Sequence, residues 1–275
     1  MPTYNCGKYI SQSVNSILNQ TYKEFEFLII DDGSTDNTED IVSTFKDGRI
    51  NYKKINHSGQ SVALNYGISI AIGDWIAIAD DDDIAVNCRF EKQFNLLISN
   101  SDIVLCSSSY NVITDEGDFI GMRRLPESDS EIRKVITKWN PFCHPASVFK
   151  KETTIKVGGY PQLKNNEDWE LWKKIINYGK VYNIREPLIN YRIRNHSRSN
   201  DNSESNEGLF NFRTGIFYLE NGKNKTIARN YIKKSITGIF DIRRIYNYLL
   251  TYLPFNFIYF FKFFRKGYLY IKYIK

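Results

Sequence analysis

The stretch Trp75-Ile76-Ala77-Ile78-Ala79 runs straight into four aspartates, Asp80 to Asp83. An apolar run of that length suits a buried strand. Four like charges at its end repel one another, so they need solvent or a cation. Aspartate oxygens suit a hard divalent ion such as Mg2+ or Mn2+. Such an ion is usually held by one or two protein carboxylates together with substrate phosphates. Taken alone, the stretch also reads as an acidic surface turn.

The preceding residues repeat the same design. Pro2, Thr3 and Asn5 are loop and cap residues. Ile10, Val14, Ile17 and Leu18 recur at helical spacing. Phe25 to Ile30 reads as a strand and ends in Asp31-Asp32-Gly33-Ser34-Thr35-Asp36. Asn37 to Phe45 reads as a helix, with Thr35 or Asp36 as its cap. Ile50 to Ile55 is a weaker strand, and Ser58 to Ile72 a helix closed by Gly73. After the four aspartates, Phe90, Phe94, Leu97 and Ile98 mark a helical face, and Asp102 to Ser107 another strand. This alternation predicts a parallel sheet covered on both faces by helices. Ligands of such sheets lie beyond the carboxyl ends of the strands. Asp31-Asp32 and Asp80–Asp83, about 50 residues apart, are therefore expected on one edge.

The second half is mixed. Tyr110 to Ile120 predicts a hairpin around Asp115-Glu116-Gly117, and Ala146 to Phe149 a short strand. Gly158-Gly159 is a bend, and Asn165 to Asp168 opens a helix reaching Tyr178. Glu167 and Asp168 suit the first turn of that helix as dipole partners alone. Tyr182 to Arg194 carries one or two strands, and 195–208 reads as a polar loop. The four cysteines are scattered, without a C-x-x-C pair, so neither a disulfide framework nor a zinc site is expected. That usage fits a reducing compartment, and no secretory leader is recognised.

The net charge of +6 is uneven. Residues 223–275 carry 12 Lys and Arg against one acid, Asp241, and residues 1–222 carry 25 basic against 30 acidic side chains. The tail also mixes aromatic runs with basic residues, a pattern suited to an anionic lipid surface. Tyr248 to Phe261 is too short for a spanning helix, which needs about 20 residues. Packing on the domain or a dimer contact is the alternative. No nucleic-acid recognition motif accompanies the tail.

Pro2-Thr3-Tyr4-Asn5, Asp31 to Asp36, Asp80 to Asp83 and Glu167-Asp168-Trp169 occur in the order found in family 2 glycosyltransferases, which the chain resembles over about residues 1–200. The Gly59–Gly67 segment and Tyr191-Arg192 with His196 and Ser199 are similar to further family elements. The resemblance implies a GT-A fold, an α/β nucleotide-sugar domain with a Rossmann-like mixed sheet flanked by helices. It would occupy residues 1–208, as a nucleotide-binding half (1–107) and an acceptor-binding half (108–208). A helical, basic-aromatic extension (209–275) would follow.

The resemblance also implies roles. Pro2, Thr3, Tyr4 and Asp32 would form a uracil pocket. Asp80-x-Asp82 would be the D-x-D motif, with Asp82 on the metal and Asp80 nearer the ribose. Asp81 is carried with the donor-contacting set, although solvent is the favoured surrounding for its side chain. Asp168 would be the general base of an inverting transfer from a UDP-sugar to a glycan or lipid-linked acceptor. Arg192, His144 and His196 are candidates for the diphosphate, and Trp169 and Trp172 for an acceptor platform or core. The expected setting is cell-surface polysaccharide assembly at the inner face of the cell membrane. A nucleotidyltransferase and an inactive UDP-binding protein are the alternatives. One departure stands out. Family members carry an apolar strand before the Pro-x-Tyr-Asn motif, whereas this sequence starts at the motif. A hole in the core is therefore expected, together with an internal or truncated start at Met1.

Overall fold

Three parallel strands, β1 (Pro2–Thr3), β2 (Phe27–Asp31) and β3 (Ile50–Lys54), form one sheet in that order. The computed structural model describes residues 1–163, 165–194 and 229. The chain divides into two compact units, Met1–Arg192 and Ile193–Lys275, and everything below concerns the first. The tail from 209, the loop from 195 and His196 lie outside the described residues, apart from Arg229.

Helices α1 (Ile10–Leu18), α2 (Thr38–Ser43) and α3 (Gln60–Ile70) alternate with these strands. The apolar spacing of α1 buries Ile10, Val14 and Ile17 against β2, with Phe27 and Ile29 in the same cluster. Pro2 and Thr3, expected in a loop, are instead strand residues. Thr3 accepts the backbone N–H of Asp32 at 2.9 Å, an extended pairing that local turn propensity does not reveal.

The second sheet departs from the all-parallel expectation. It contains β4 (Trp75–Ala77), β5 (Ile84–Ala85), β6 (Ile103–Ile113), β7 (Phe119–Arg123), β8 (Val148–Lys150) and β9 (Lys180–Arg192), in the order β4-β8-β6-β9-β5. Strand β7 pairs with β6 as the expected hairpin. Strand β8 returns antiparallel between β4 and β6, and β9 runs parallel to β6. The short strand expected at Ala146 to Phe149 is present as β8, but its insertion between two early strands has no local signature.

Helices α4 (Arg89–Ser99), α5 (Asp129–Val135), α6 (Lys151–Lys156) and α7 (Glu167–Ile175) complete the unit. Of the expected apolar face of α4, Leu97 is buried and Phe90 packs against the core. Arg89 and Gln93 are the buried residues beside Leu97, while Ile98 is exposed. Arg89 donates to the Ile78 carbonyl at 2.8 Å and to Gln93 Oε1 at 2.9 Å, and Gln93 donates to the Ala146 carbonyl. Burial lowers the Arg89 pKa to about 10. These bonds tie the end of β4 to the segment before β8, directly beneath the four aspartates.

An apolar slot of about 330 Å³ separates β2 from β4. Phe27, Ile30, Leu64, Ile68, Trp75 and Ile76 are among its lining residues. Strand β1 pairs only with Ile30 and Asp31, so the rest of β2 has no strand neighbour on that side. The slot lies where a hole was expected. The main core lies elsewhere, around Leu105, Phe149, Leu171, Trp172 and Ile175. Each such buried side chain contributes about 1.5–3 kcal/mol.

Candidate active site

Strand β2 delivers Asp31 and Asp32 to the sheet edge. Asp31 is fully buried and closes its own turn, accepting the Ser34 N–H at 2.6 Å and the Tyr52 hydroxyl. Asp32 is 4% exposed. Its carboxylate accepts the backbone N–H groups of Ser58 at 2.7 Å and Gly59 at 2.9 Å, both just before α3. His57 Nδ1 lies 2.9 Å from Asp32 Oδ2. Gly33 follows at φ +80°, and a Cβ there would stand 3.0 Å from the His57 nitrogen. The turn therefore needs glycine both for its dihedral and for its clearance.

Tyr4 faces this group from the end of β1. Its ring stacks on His57, with centroids 4.2 Å apart and planes at 25°. Its backbone N–H donates to Asp81 Oδ2 at 3.3 Å. Asp81 is half-buried and turned toward Tyr4, so the solvent surrounding favoured for it is corrected. The main chain of Tyr4 offers it a donor that water-facing geometry would leave unused. Two sequence-distant acidic loops thus meet at the Pro2-Thr3-Tyr4 segment.

Asp82 and Asp83 are buried at 8% and 4% exposure. Arg192, expected to touch a diphosphate, is itself only 3% exposed. Its backbone N–H donates to Asp83 Oδ1 and its Nε to the Asp82 carbonyl, each at 2.8 Å. Its terminal nitrogens donate to the Asp115 carbonyl at 2.7 Å and Gln12 Oε1 at 2.8 Å. The guanidinium is thereby committed to protein acceptors, and it shapes the acidic loop rather than presenting itself to a ligand.

Asp80 leads toward the other half. Its Oδ1 lies 3.5 Å from His144 Nδ1, while His144 Nε2 lies 3.0 Å from the Tyr160 hydroxyl. Asn65 on α3 holds Tyr160 in place, bonding its backbone N–H and carbonyl at 2.8 Å each. Burial by itself would lower the His144 pKa. Asp80, with the further charges of Asp168 and Glu167, outweighs that effect and raises it above 6.5. Asp80 is the carboxylate within reach of that imidazole, and Asp168 contributes only to its charge environment.

Asp168 is the second residue of α7, which begins after Asn166 in the left-handed region at φ 63°. Asn166 itself makes no side-chain capping bond. The Asp168 Oδ2 accepts the Asn140 side-chain amide at 2.7 Å. Trp172 is fully buried among Phe142, Phe149 and Tyr160, so of its two expected roles the core one is realised. Trp169 is partly buried, and its indole N–H donates to the Ile136 carbonyl at 2.6 Å.

The structure brings Pro2, Thr3, Tyr4, Asp32, Asp80, Asp81, Asp82 and Asp168 to one rim through this chain of contacts. His57, Asn140 and Tyr160 belong to it as well and were not singled out from the sequence. Their contacts join segments far apart in the chain, which no local spacing announces. Among the described residues, no group of three or more His, Cys, Asp or Glu side chains is arranged to hold a metal ion. An oxygen-only loop of this kind suits a hard cation that completes its shell with water and phosphate oxygens.

Residues 1–157 match the family model described as glycosyl transferase family 2. The O-antigen biosynthesis glycosyltransferase WbnJ of Escherichia coli is 34% identical over 205 residues, covering 72% of this chain and 79% of that protein. The putative glycosyltransferase EpsE of Bacillus subtilis is 31% identical over 205 residues, covering 72% of each. Among solved structures, S. aureus TarS 1-349 in complex with UDP-GlcNAc aligns with TM-score 0.60 at 18% identity, over 91% of this chain and 77% of that one. The mannosyltransferase PcManGT of Pyrobaculum calidifontis, in complex with GDP-Man and Mn2+, aligns with TM-score 0.54 at 18% identity, over 91% of this chain and 66% of that one.

Proposed function

The chain belongs to glycosyl transferase family 2 and has the GT-A fold, and from that premise we propose that it transfers a sugar, with inversion, from a UDP-sugar to a hydroxyl of a glycan or lipid-linked acceptor. Cell-surface polysaccharide assembly is the proposed setting, supported by the Escherichia coli relative, an O-antigen biosynthesis glycosyltransferase. The observation that carries the reading is Tyr4 standing between the two acidic loops, its N–H on Asp81 and its ring on the His57 that contacts Asp32.

On this reading Tyr4 stacks on the base and Asp32 accepts a ring N–H from it. Asp80 lies toward the ribose. Asp82 would hold a Mg2+ or Mn2+ ion, which supplies charge stabilisation to the departing diphosphate when bound. Asp168 takes the proton of the acceptor hydroxyl, a poor nucleophile while protonated, as the new C–O bond forms. The Asn140 amide holds one of its oxygens and so turns the other toward the acceptor. Arg192 keeps the aspartate loop in shape from behind.

A panel of UDP-sugars incubated with Mn2+ tests the reaction. Release of UDP with at least one donor is expected. Release of pyrophosphate instead would identify a nucleotidyltransferase, and binding of UDP without any turnover a UDP-binding protein.

The basic tail is proposed to rest on anionic lipid at the inner face of the membrane, on the strength of its 12 basic residues against one acid. Removing residues 246–275 should release the protein from anionic vesicles while UDP binding persists. Unchanged vesicle binding would argue for a packing or dimer role.

A further inference from the structure

His57 makes, within the protein, the two contacts assigned above to a nucleobase. Its ring lies flat on Tyr4 at 4.2 Å. Its Nδ1 stands 2.9 Å from Asp32 Oδ2 and 3.0 Å from the Asp32 backbone oxygen. Both neighbours are acceptors, so Nδ1 carries a hydrogen in this arrangement. We infer that His57 occupies the base subsite and must leave before a uracil ring can enter, so that this residue sets the affinity of the donor site. The inference rests on the reading of Tyr4 and Asp32 as that subsite.

The burial of Asp32 is what makes the exchange necessary. At 4% exposure its carboxylate already receives three donors. The Ser58 and Gly59 N–H groups belong to the backbone turn entering α3 and stay with it. The His57 side chain is 58% exposed and attached through rotatable bonds. It is the one donor of the three that can leave at the cost of a rotamer change. A uracil N–H then recovers the hydrogen bond to the carboxylate, and its ring recovers the stack on Tyr4. The gain from base binding is reduced by what His57 loses, since its hydrogen bond to a charged group and its ring stack must both be given up.

Diphosphate contacts fall outside this exchange. Calorimetry with UDP and with inorganic pyrophosphate, each with Mn2+, therefore separates the two contributions. His57→Ala should bind UDP about tenfold more tightly than the unaltered protein and pyrophosphate within about twofold of it. Equal or weaker UDP binding in a folded His57→Ala protein would overturn the inference. A second readout needs no substitution. The His57 imidazole proton resonances, shifted by the Tyr4 ring, should move toward free-histidine positions as UDP is added. Resonances that stay in place at saturation would also overturn it. If UDP binds the unaltered protein no more tightly than pyrophosphate does, the base subsite itself is misassigned, a failure distinct from the other two.

Discussion

Asp168→Asn should reduce turnover by about a thousandfold while leaving UDP affinity within about twofold. The size follows from the usual worth of a positioned proton acceptor, about 10²–10⁴ in rate. The selectivity follows from geometry. Asp168 sits on α7, held by Asn140, whereas the proposed base contacts lie at Tyr4 and Asp32. Asparagine keeps the shape of the side chain but cannot take a proton from the acceptor. The measurement is steady-state UDP release beside calorimetry of the same preparation. Near-normal turnover would show that another group serves as base, and a parallel loss of UDP affinity would show that the substitution disturbs the whole rim.

Asp82→Asn should act on the opposite quantity. The metal-dependent part of UDP affinity is expected to fall by about a hundredfold, the scale on which even indirect partners of a metal ion affect its binding. Binding measured in a chelator should barely change, because the Tyr4 and Asp32 contacts do not involve this residue. Asp82 is buried at 8% exposure and its backbone carbonyl is held by Arg192, so a folded loop is expected in the variant. Metal-dependent affinity that survives Asp82→Asn would move the ion to a neighbouring aspartate. Thermal unfolding with and without Mn2+ provides a readout independent of catalysis.

Much of this arrangement is legible in the residues alone. The apolar spacing of Ile10, Val14 and Ile17 defines α1, and the run from Phe27 to Ile30 reads as strand and is strand. The acid clusters follow β2 and β4 as expected, and Tyr4 joins their loops although the two strands belong to separate sheets. The failures share a cause, which is that tertiary contacts decide what local pattern leaves open. On α4 the apolar spacing does not announce the burial of Arg89, which finds carbonyl acceptors inside the protein. Arg192 looks like an anion-binding residue until its acceptors are seen. Strand β8 is an insertion between β4 and β6 that follows from no periodicity. His57 and Asn140 matter through partners 25 and 28 residues away, Asp32 and Asp168.

The two buried arginines also bear on the charge of this rim. Arg89 and Arg192 are both almost wholly removed from water. Arg192 bonds the Asp82 carbonyl and the Asp83 carboxylate, and Arg89 lies close enough for Asp80 and Asp83 to act on it. Two fixed positive charges thus offset part of the mutual repulsion of the four aspartates from the protein side.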